Sequence, residues 1–268
     1  MKRTSCSLCI ATYNWPEALR ICLDSVLLQS HLPDEIIICD DGSGESTQHV
    51  IKEFQNRSHI PVVHIWQPDE GFQLARIRNK GFAIAKGDYI IQADGDLIFH
   101  RDFIKSHLHF SRKGTFLSGS RVPMDDLLSR RILERKTVFY PSILSKHISK
   151  RYNAMNNRLL AWAHMNFSRK KRKYNYVLGC NMSFWKKDLL LVNGYDETFK
   201  GWGKEDNDIA VRLMNAGVDL QFLKYSGVVY HFHHNEAERK NLDENMRLLN
   251  DAMLSGKTYI EQGISLHT

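Results

Sequence analysis

Within the first hundred residues, short β-rich apolar runs alternate with segments of helical spacing, and that alternation leaves few folds open. Residues 5–11 read as a buried strand, 35–39 and 62–66 as two more, and 88–93 as a fourth. Between them the spacing predicts a helix over 16–29, with Leu19, Leu23, Val26 and Leu27 at helical intervals and Pro16 where a first turn tolerates it. Residues 45–57 form a polar helix and 71–86 a third. Strands joined by helices of this length make βαβ units, so the chain is expected to be α/β, with a mostly parallel central sheet flanked by helices.

In open α/β sheets a ligand sits beyond the carboxyl ends of the strands. Three of these ends carry polar residues: Thr12-Tyr13-Asn14, Asp40-Asp41 and Asp94-Gly95-Asp96. They are expected to converge.

Residues 125–176 break the pattern. They are rich in Lys and Arg, from Arg130-Arg131 to Arg169-Lys170-Lys171-Arg172-Lys173, with Ile132, Leu133, Ile143, Leu144, Leu159, Leu160 and Trp162 interleaved. This reads as one or two basic amphipathic helices inserted into the domain. They form either a solvated face or a contact surface for anionic lipid or a polyanionic acceptor. The net charge of +7 and pI near 9.1 point the same way, to an anionic partner. Beyond the insertion, 177–184 reads as a strand, 201–203 as a tight loop, and 205–215 as a helix closed by Gly217. A short strand over 228–230 enters His231-Phe232-His233-His234, and 236–254 is a charged amphipathic helix. Repeats and low-complexity linkers are absent, so residues 1–268 are expected to form one domain with an insertion.

No apolar run reaches the roughly 18–20 residues that span a bilayer. The opening apolar stretch is too short for a signal peptide, which points to a cytoplasmic protein, with peripheral contact at the inner face of the membrane as an extension of that reading. The five cysteines are odd in number and sit mostly in apolar segments. Cys6 and Cys9 form a CxxC without a matching pair, and residues three apart on a strand point to opposite faces, so a metal role is not expected.

Three constellations carry chemistry. In Asp94-Gly95-Asp96 two carboxylates on a turn after a buried strand can present oxygens to one hard cation, although a plain surface turn has the same composition. His231 and His233 share a face of an extended segment while His234 points away, and imidazole beside carboxylate suits Mn²⁺ better than Mg²⁺. Gly201-Trp202-Gly203-Lys204-Glu205-Asp206-Asn207-Asp208 places acids at a helix start, where free N–H groups favour them. Capping does not account for a Trp between two glycines. A ring that packs on a pyranose face beside hydroxyl-binding acids does, and a carboxylate held there can act as a general base.

With these residues in view, the chain resembles the inverting family-2 glycosyltransferases of the GT-A fold over nearly its whole length. Ile10-Ala11-Thr12-Tyr13-Asn14 and Asp40-Asp41-Gly42-Ser43 look like the nucleotide motifs. The stretch from Gly71-Phe72-Gln73-Leu74-Ala75-Arg76-Ile77-Arg78-Asn79 to Asp94-Gly95-Asp96 is similar to the bacterial chondroitin polymerase group. Gly201-Trp202-Gly203 with Glu205-Asp206 is shared in kind with that group and with β-1,4-galactosyltransferases. The resemblance implies a Rossmann-like nucleotide-binding half over 1–110, an acceptor-binding half over 111–234 and a terminal helix over 235–268. It implies that Thr12, Tyr13 and Asp41 hold base and ribose, with Asp40 as the alternative to Asp41, and that Asn14, Arg78 and Asp94 complete the nucleotide-sugar set. Asp96 and His231 would be metal ligands for Mn²⁺ or Mg²⁺, with Asp94 beside them and His233 as a lesser candidate. Asp206 would be the catalytic base, and Trp202 and Glu205 would bind the acceptor. Where the galactosyltransferases have an acid after the base, this chain has Asn207, which leaves acceptor identity open.

The implied donor is a nucleotide diphosphate sugar, UDP-sugar by default, and the acceptor a glycan or lipid-linked saccharide. A sugar-nucleotide pyrophosphorylase would want a Gly-rich, basic phosphate loop where Thr12-Tyr13-Asn14-Trp15-Pro16 stands. A basic nucleic-acid-binding protein would leave the paired aspartates, the Trp loop and the histidines unused, so no nucleic-acid partner is expected.

Overall fold

The computed structural model describes residues 3–167, 174–235 and 240–268. The four expected strands are β1 (Cys6–Thr12), β2 (Glu35–Asp40), β3 (Val62–Trp66) and β4 (Tyr89–Asp94). The helices between them are α1 (Pro16–Leu27), α2 (Glu45–Arg57) and α3 (Leu74–Ile84). β1 pairs in parallel with both β2 and β4, and β2 with β3. Parallel strands covered on both faces are buried along their length, as β1 and β2 are at every position; most of their residues are apolar, and the buried Ser7 hydroxyl donates to Glu35 Oε1 at 2.6 Å. Cys6 packs into the core on one face of the sheet and Cys9 into the core on the other. All five cysteines are free and buried, so the CxxC is a pair of packing thiols.

The chain continues through β5 (Leu97–Phe99), α4 (Phe103–Phe110), β6 (Thr115–Gly119) and β7 (Val122–Pro123), then α5 (Asp126–Arg135) and α6 (Arg158–Phe167) of the basic insertion. It returns as β8 (Asn181–Trp185), α7 (Lys186–Leu191), α8 (Glu205–Asn215), β9 (Asp219–Leu223), β10 (Val229–His231) and α9 (Leu242–Ser255). Among the described residues, seven strands form the main sheet in the order β3-β2-β1-β4-β8-β6-β9. Only β8 runs against its neighbours. A smaller sheet, β5-β10-β7, sets His231 opposite Leu97.

Three expected boundaries move. The strand over 177–184 begins only at Asn181, because 177–180 form a turn in which Asn181 N–H donates to Leu178 O at 3.0 Å. Val177 is buried there by packing, without strand pairing. The helix over 71–86 runs only from Leu74 to Ile84, and Gln73, its N-cap, donates its N–H to the Asp41 carboxylate at 2.9 Å. The terminal helix starts at Leu242; its expected first residues, 236–239, and the run Arg169–Lys173 lie outside the described residues.

Candidate active site

The three polar strand ends do meet. Asp41 N–H donates to Thr12 O at 3.0 Å and Gly95 N–H to Ala11 O at 2.7 Å, so the loops after β1, β2 and β4 are tied edge to edge. Asn14, at φ +43°, donates its N–H to Ser43 Oγ and accepts Gly44 N–H on Oδ1, both at 2.9 Å. Asp40 is enclosed, accepting Ser43 N–H at 2.8 Å and lying 3.0 Å from His64 Nε2. Asp41 accepts Gln67 Nε2 at 2.6 Å and Gln73 N–H at 2.9 Å, and its burial raises its pKa. Both aspartates therefore brace the loop. Tyr13 is exposed at this edge, as Asn14 is, and its hydroxyl donates to Asp69 at 2.8 Å.

Arg78, on α3, is fully buried and joins the two halves of the site. Its Nη2 donates to Asp94 Oδ1 at 2.8 Å and its Nη1 to Asp206 Oδ1 at 2.9 Å. Two of its nitrogens thus pair with protein carboxylates, and its Nε is buried without a hydrogen-bond partner. Burial works against its charge, but Tyr195, Asp206 and Asp94 around it hold its pKa well above the ordinary value. Tyr195 donates its hydroxyl to the same Asp206 oxygen at 2.8 Å and accepts Gln92 Nε2 at 2.8 Å. Burial pushes the Asp94 carboxyl up to about 6, with the charges of Asp96 and Asp206 adding to the shift and Arg78 opposing it. Glu205 is pushed up to about 8, by burial first and by neighbouring Asp206 second, and its Oε2 has no hydrogen-bond partner. One cation cannot compensate three ionised acids in a buried site, and a proton kept on Glu205 relieves the imbalance.

Asp96 Oδ2 lies 3.3 Å from His231 Nε2 and 3.2 Å from His234 Nε2, and its other oxygen, Oδ1, is buried without a partner. These three residues can offer ligand atoms within 4.8 Å of one another. An orphaned carboxylate oxygen beside two imidazole nitrogens is a donor set that fits Mn²⁺. His234, expected to point away, thus reaches Asp96 together with His231. His233 is exposed, and its N–H donates to Ser129 Oγ at 2.9 Å. β10 ends at His231, so the two-residue alternation used to choose His233 does not extend past it. Burial lowers the His231 pKa, whereas the hydrogen bond to Asp96 raises that of His234. Burial alone would raise Asp96, but His231 and His234 outweigh it and hold the carboxyl below its usual range.

The Trp loop turns on Gly201 at φ +68° and Gly203 at φ +107°, conformations that side chains resist. Gly201 N–H donates to Phe72 O at 3.3 Å, and Asn245 of α9 donates to Lys200 O and Gly203 O at 3.1 and 2.9 Å. Trp202 is partly exposed on this loop.

A family model described as glycosyl transferase family 2 matches residues 7–183. The chain belongs to glycosyl transferase family 2. A second model, described as the N-terminal domain of galactosyltransferase, matches 161–235, the stretch that holds Asp206 and His231. This family 2 chain is 28% identical over 241 residues to a chondroitin synthase of Escherichia coli, covering 84% of itself and 34% of that protein. It is 26% identical over 252 residues to a hyaluronan synthase of Pasteurella multocida, covering 88% of itself and 25% of that protein. It therefore spans only about a third or less of these relatives. Its fold is that of GalNAc-T7, solved with UDP, GalNAc and Mn²⁺, at a TM-score of 0.66 and 15% identity over 94% of this chain and 50% of that one. Staphylococcus aureus TarS superposes at 0.64 with 16% identity over 93% of this chain and 40% of that one. The architecture is the GT-A fold.

Sequence reasoning missed four residues that shape the family 2 site: Tyr195, Gln92, Asn245 and Gly179. A Cβ on Gly179 would come within 1.9 Å of Asp206 Oδ2. Tyr195 and Gln92 look like ordinary core positions in sequence, and nothing local marks them. Gly179 falls within the run read as a strand over 177–184, where nothing sets it apart.

Proposed function

We propose that this chain is a metal-dependent inverting glycosyltransferase, moving a hexose or N-acetylhexosamine from a nucleotide diphosphate sugar to a glycan or lipid-linked saccharide hydroxyl. The observation that carries the reading is the bridge from Asp94 through Arg78 to Asp206. It fixes the carboxylate at the end of a nucleotide-binding strand against the one at the start of α8. Thr12, Tyr13, Asn14 and Asp41 edge the nucleotide side, and Trp202 and Glu205 the acceptor side. UDP is the favoured nucleotide, supported by the solved neighbour that holds it. Relatives named for polysaccharide synthesis support a role in making a surface polysaccharide, with peripheral contact at the inner face of a membrane. No helix among the described residues is long and apolar enough to cross one.

In this mechanism the acceptor hydroxyl attacks the anomeric carbon as the bond to the diphosphate breaks, and one displacement inverts the centre. Asp206 takes the hydroxyl proton. Arg78 and Tyr195 hold that carboxylate in place, so its lone pairs are aimed before substrate arrives. With Glu205 protonated and Asp208 paired to Arg212, Asp206 is the ionised acid of the first turn of α8 left for the acceptor hydroxyl. Asp96, His231 and His234, with Asp94 beside them, would hold Mn²⁺ or Mg²⁺, which neutralises charge on the departing diphosphate.

The test is a screen of UDP- and GDP-sugars for nucleotide release, with and without Mn²⁺. Asp206→Asn should lower turnover by about 10²–10⁴-fold while donor still binds. Asp96→Ala should remove the metal dependence. Absence of metal-stimulated release from every donor would sink the proposal.

A further inference from the structure

Charge in this chain is divided with unusual sharpness. Between Glu134 and Asp188 no acidic residue occurs, while 13 Lys and Arg residues do. Removing those 13 from the chain's 37 leaves 24 against 30 acidic residues, so the remainder is net −6. The excess positive charge thus resides entirely in one segment, and α6 lies within it.

α6 is apolar on two sides. Ala161 and Met165 face inward, packed with Phe110, Leu117 and Leu223. On the opposite side Leu159 is 78% exposed, Phe167 70% and Trp162 49%. The Trp162 and Phe167 rings meet edge to face with centroids 5.6 Å apart. At 100° per residue Leu159, Ala163 and Phe167 lie along the outer stripe, with Leu160 and Trp162 at its margins. A solvated helix face does not place Leu, Trp and Phe outward. Arg158 opens the helix, and Arg169–Lys173 follow it in sequence.

An apolar stripe bearing Trp and Phe, carried by an acid-free basic segment, has the chemistry of an element lying in the interface of an anionic bilayer. A second copy of this chain would bring the same acid-free, basic segment with it, like charge against like. We propose that the outer face of α6 inserts into the headgroup boundary of an anionic phospholipid membrane, held there by the basic residues that flank it in sequence. This deepens the reading of a transferase with a membrane-borne acceptor and rests on it for its purpose, but not for its measurement.

The experiment is cosedimentation with phosphatidylglycerol–phosphatidylcholine vesicles and with phosphatidylcholine vesicles, no donor sugar present. The protein should bind the anionic vesicles, and less so as salt is raised. The double variant Leu159→Ser, Phe167→Ser should lose about tenfold or more in partitioning, since it removes two buried-on-binding side chains. Its thermal melt and its nucleotide release should match wild type, because both side chains are already exposed. Equal binding by the double variant, or no binding by the wild type, overturns the proposal. So does a dimer in ultracentrifugation that the double variant abolishes without any vesicle binding. If vesicles bind but no donor is cleaved, the transferase reading fails and the membrane face stands.

Discussion

Asp206 is held by three unlike neighbours: a guanidinium, a phenol and the bare Cα of Gly179. The last contact allows a clean test, since it carries no charge. Gly179→Ala should displace the carboxylate and lower turnover by about a hundredfold, with donor KM nearly unchanged, as small misplacements of a reacting group do. Steady-state kinetics separate the two parameters. Glu205 makes a pH prediction. Its folded pKa, about 8, lies above the ordinary 4.5. The stability that its bound proton lends is therefore fully present below pH 4.5 and is lost as pH rises through 8. Glu205→Gln should flatten that decline and be relatively more stable at alkaline pH, read from thermal melts across the range. The identity of these acids was legible in the sequence as a cluster before a helix. Their different protonation was not, because burial and the meeting with Arg78 set it.

At the scale of elements, α8 matters for how rigidly it presents its first turn. Asp208 and Arg212, four apart on α8, pair at 2.7 Å, and Arg212 also donates to Val192 O at 2.8 Å. Both are buried, so Asp208→Ala leaves a guanidinium without its counter-ion and should cost about 3–5 kcal/mol in urea unfolding. Activity at low temperature should survive better than stability, since Asp208 does not touch Asp206's partners. The start and end of α8 were readable from its acids and from Gly217. The residues from β5 to β7 were not, because strands as short as Leu97–Phe99 and Val122–Pro123 hold too few residues to display a period. Yet β5 and β10 are what carry Asp96 to the histidines.

Across the whole molecule, the proposed metal would link the turn after β4 to the end of β10 and the residues just after it. A ligand that binds only the folded chain stabilises it by mass action. Mn²⁺ at about 100 times its Kd should add about 2.7 kcal/mol and raise the melting temperature, and EDTA should reverse it. The rise should vanish in His234→Ala and persist in His233→Ala. If the two variants behave alike, the ligand set is wrong.

The sequence by itself determined the βαβ alternation, the convergence of three polar strand ends, the Trp-acid loop and the basic insertion. All of these are written in local period, turn chemistry and composition. Tertiary structure alone decided that His234 reaches Asp96, that Arg78 spans 128 residues to Asp206, and that Tyr195 and Gly179 frame that carboxylate. Local periodicity reports which face of an element is apolar. Which side chains meet across the fold depends on how those elements pack, and on where each strand stops.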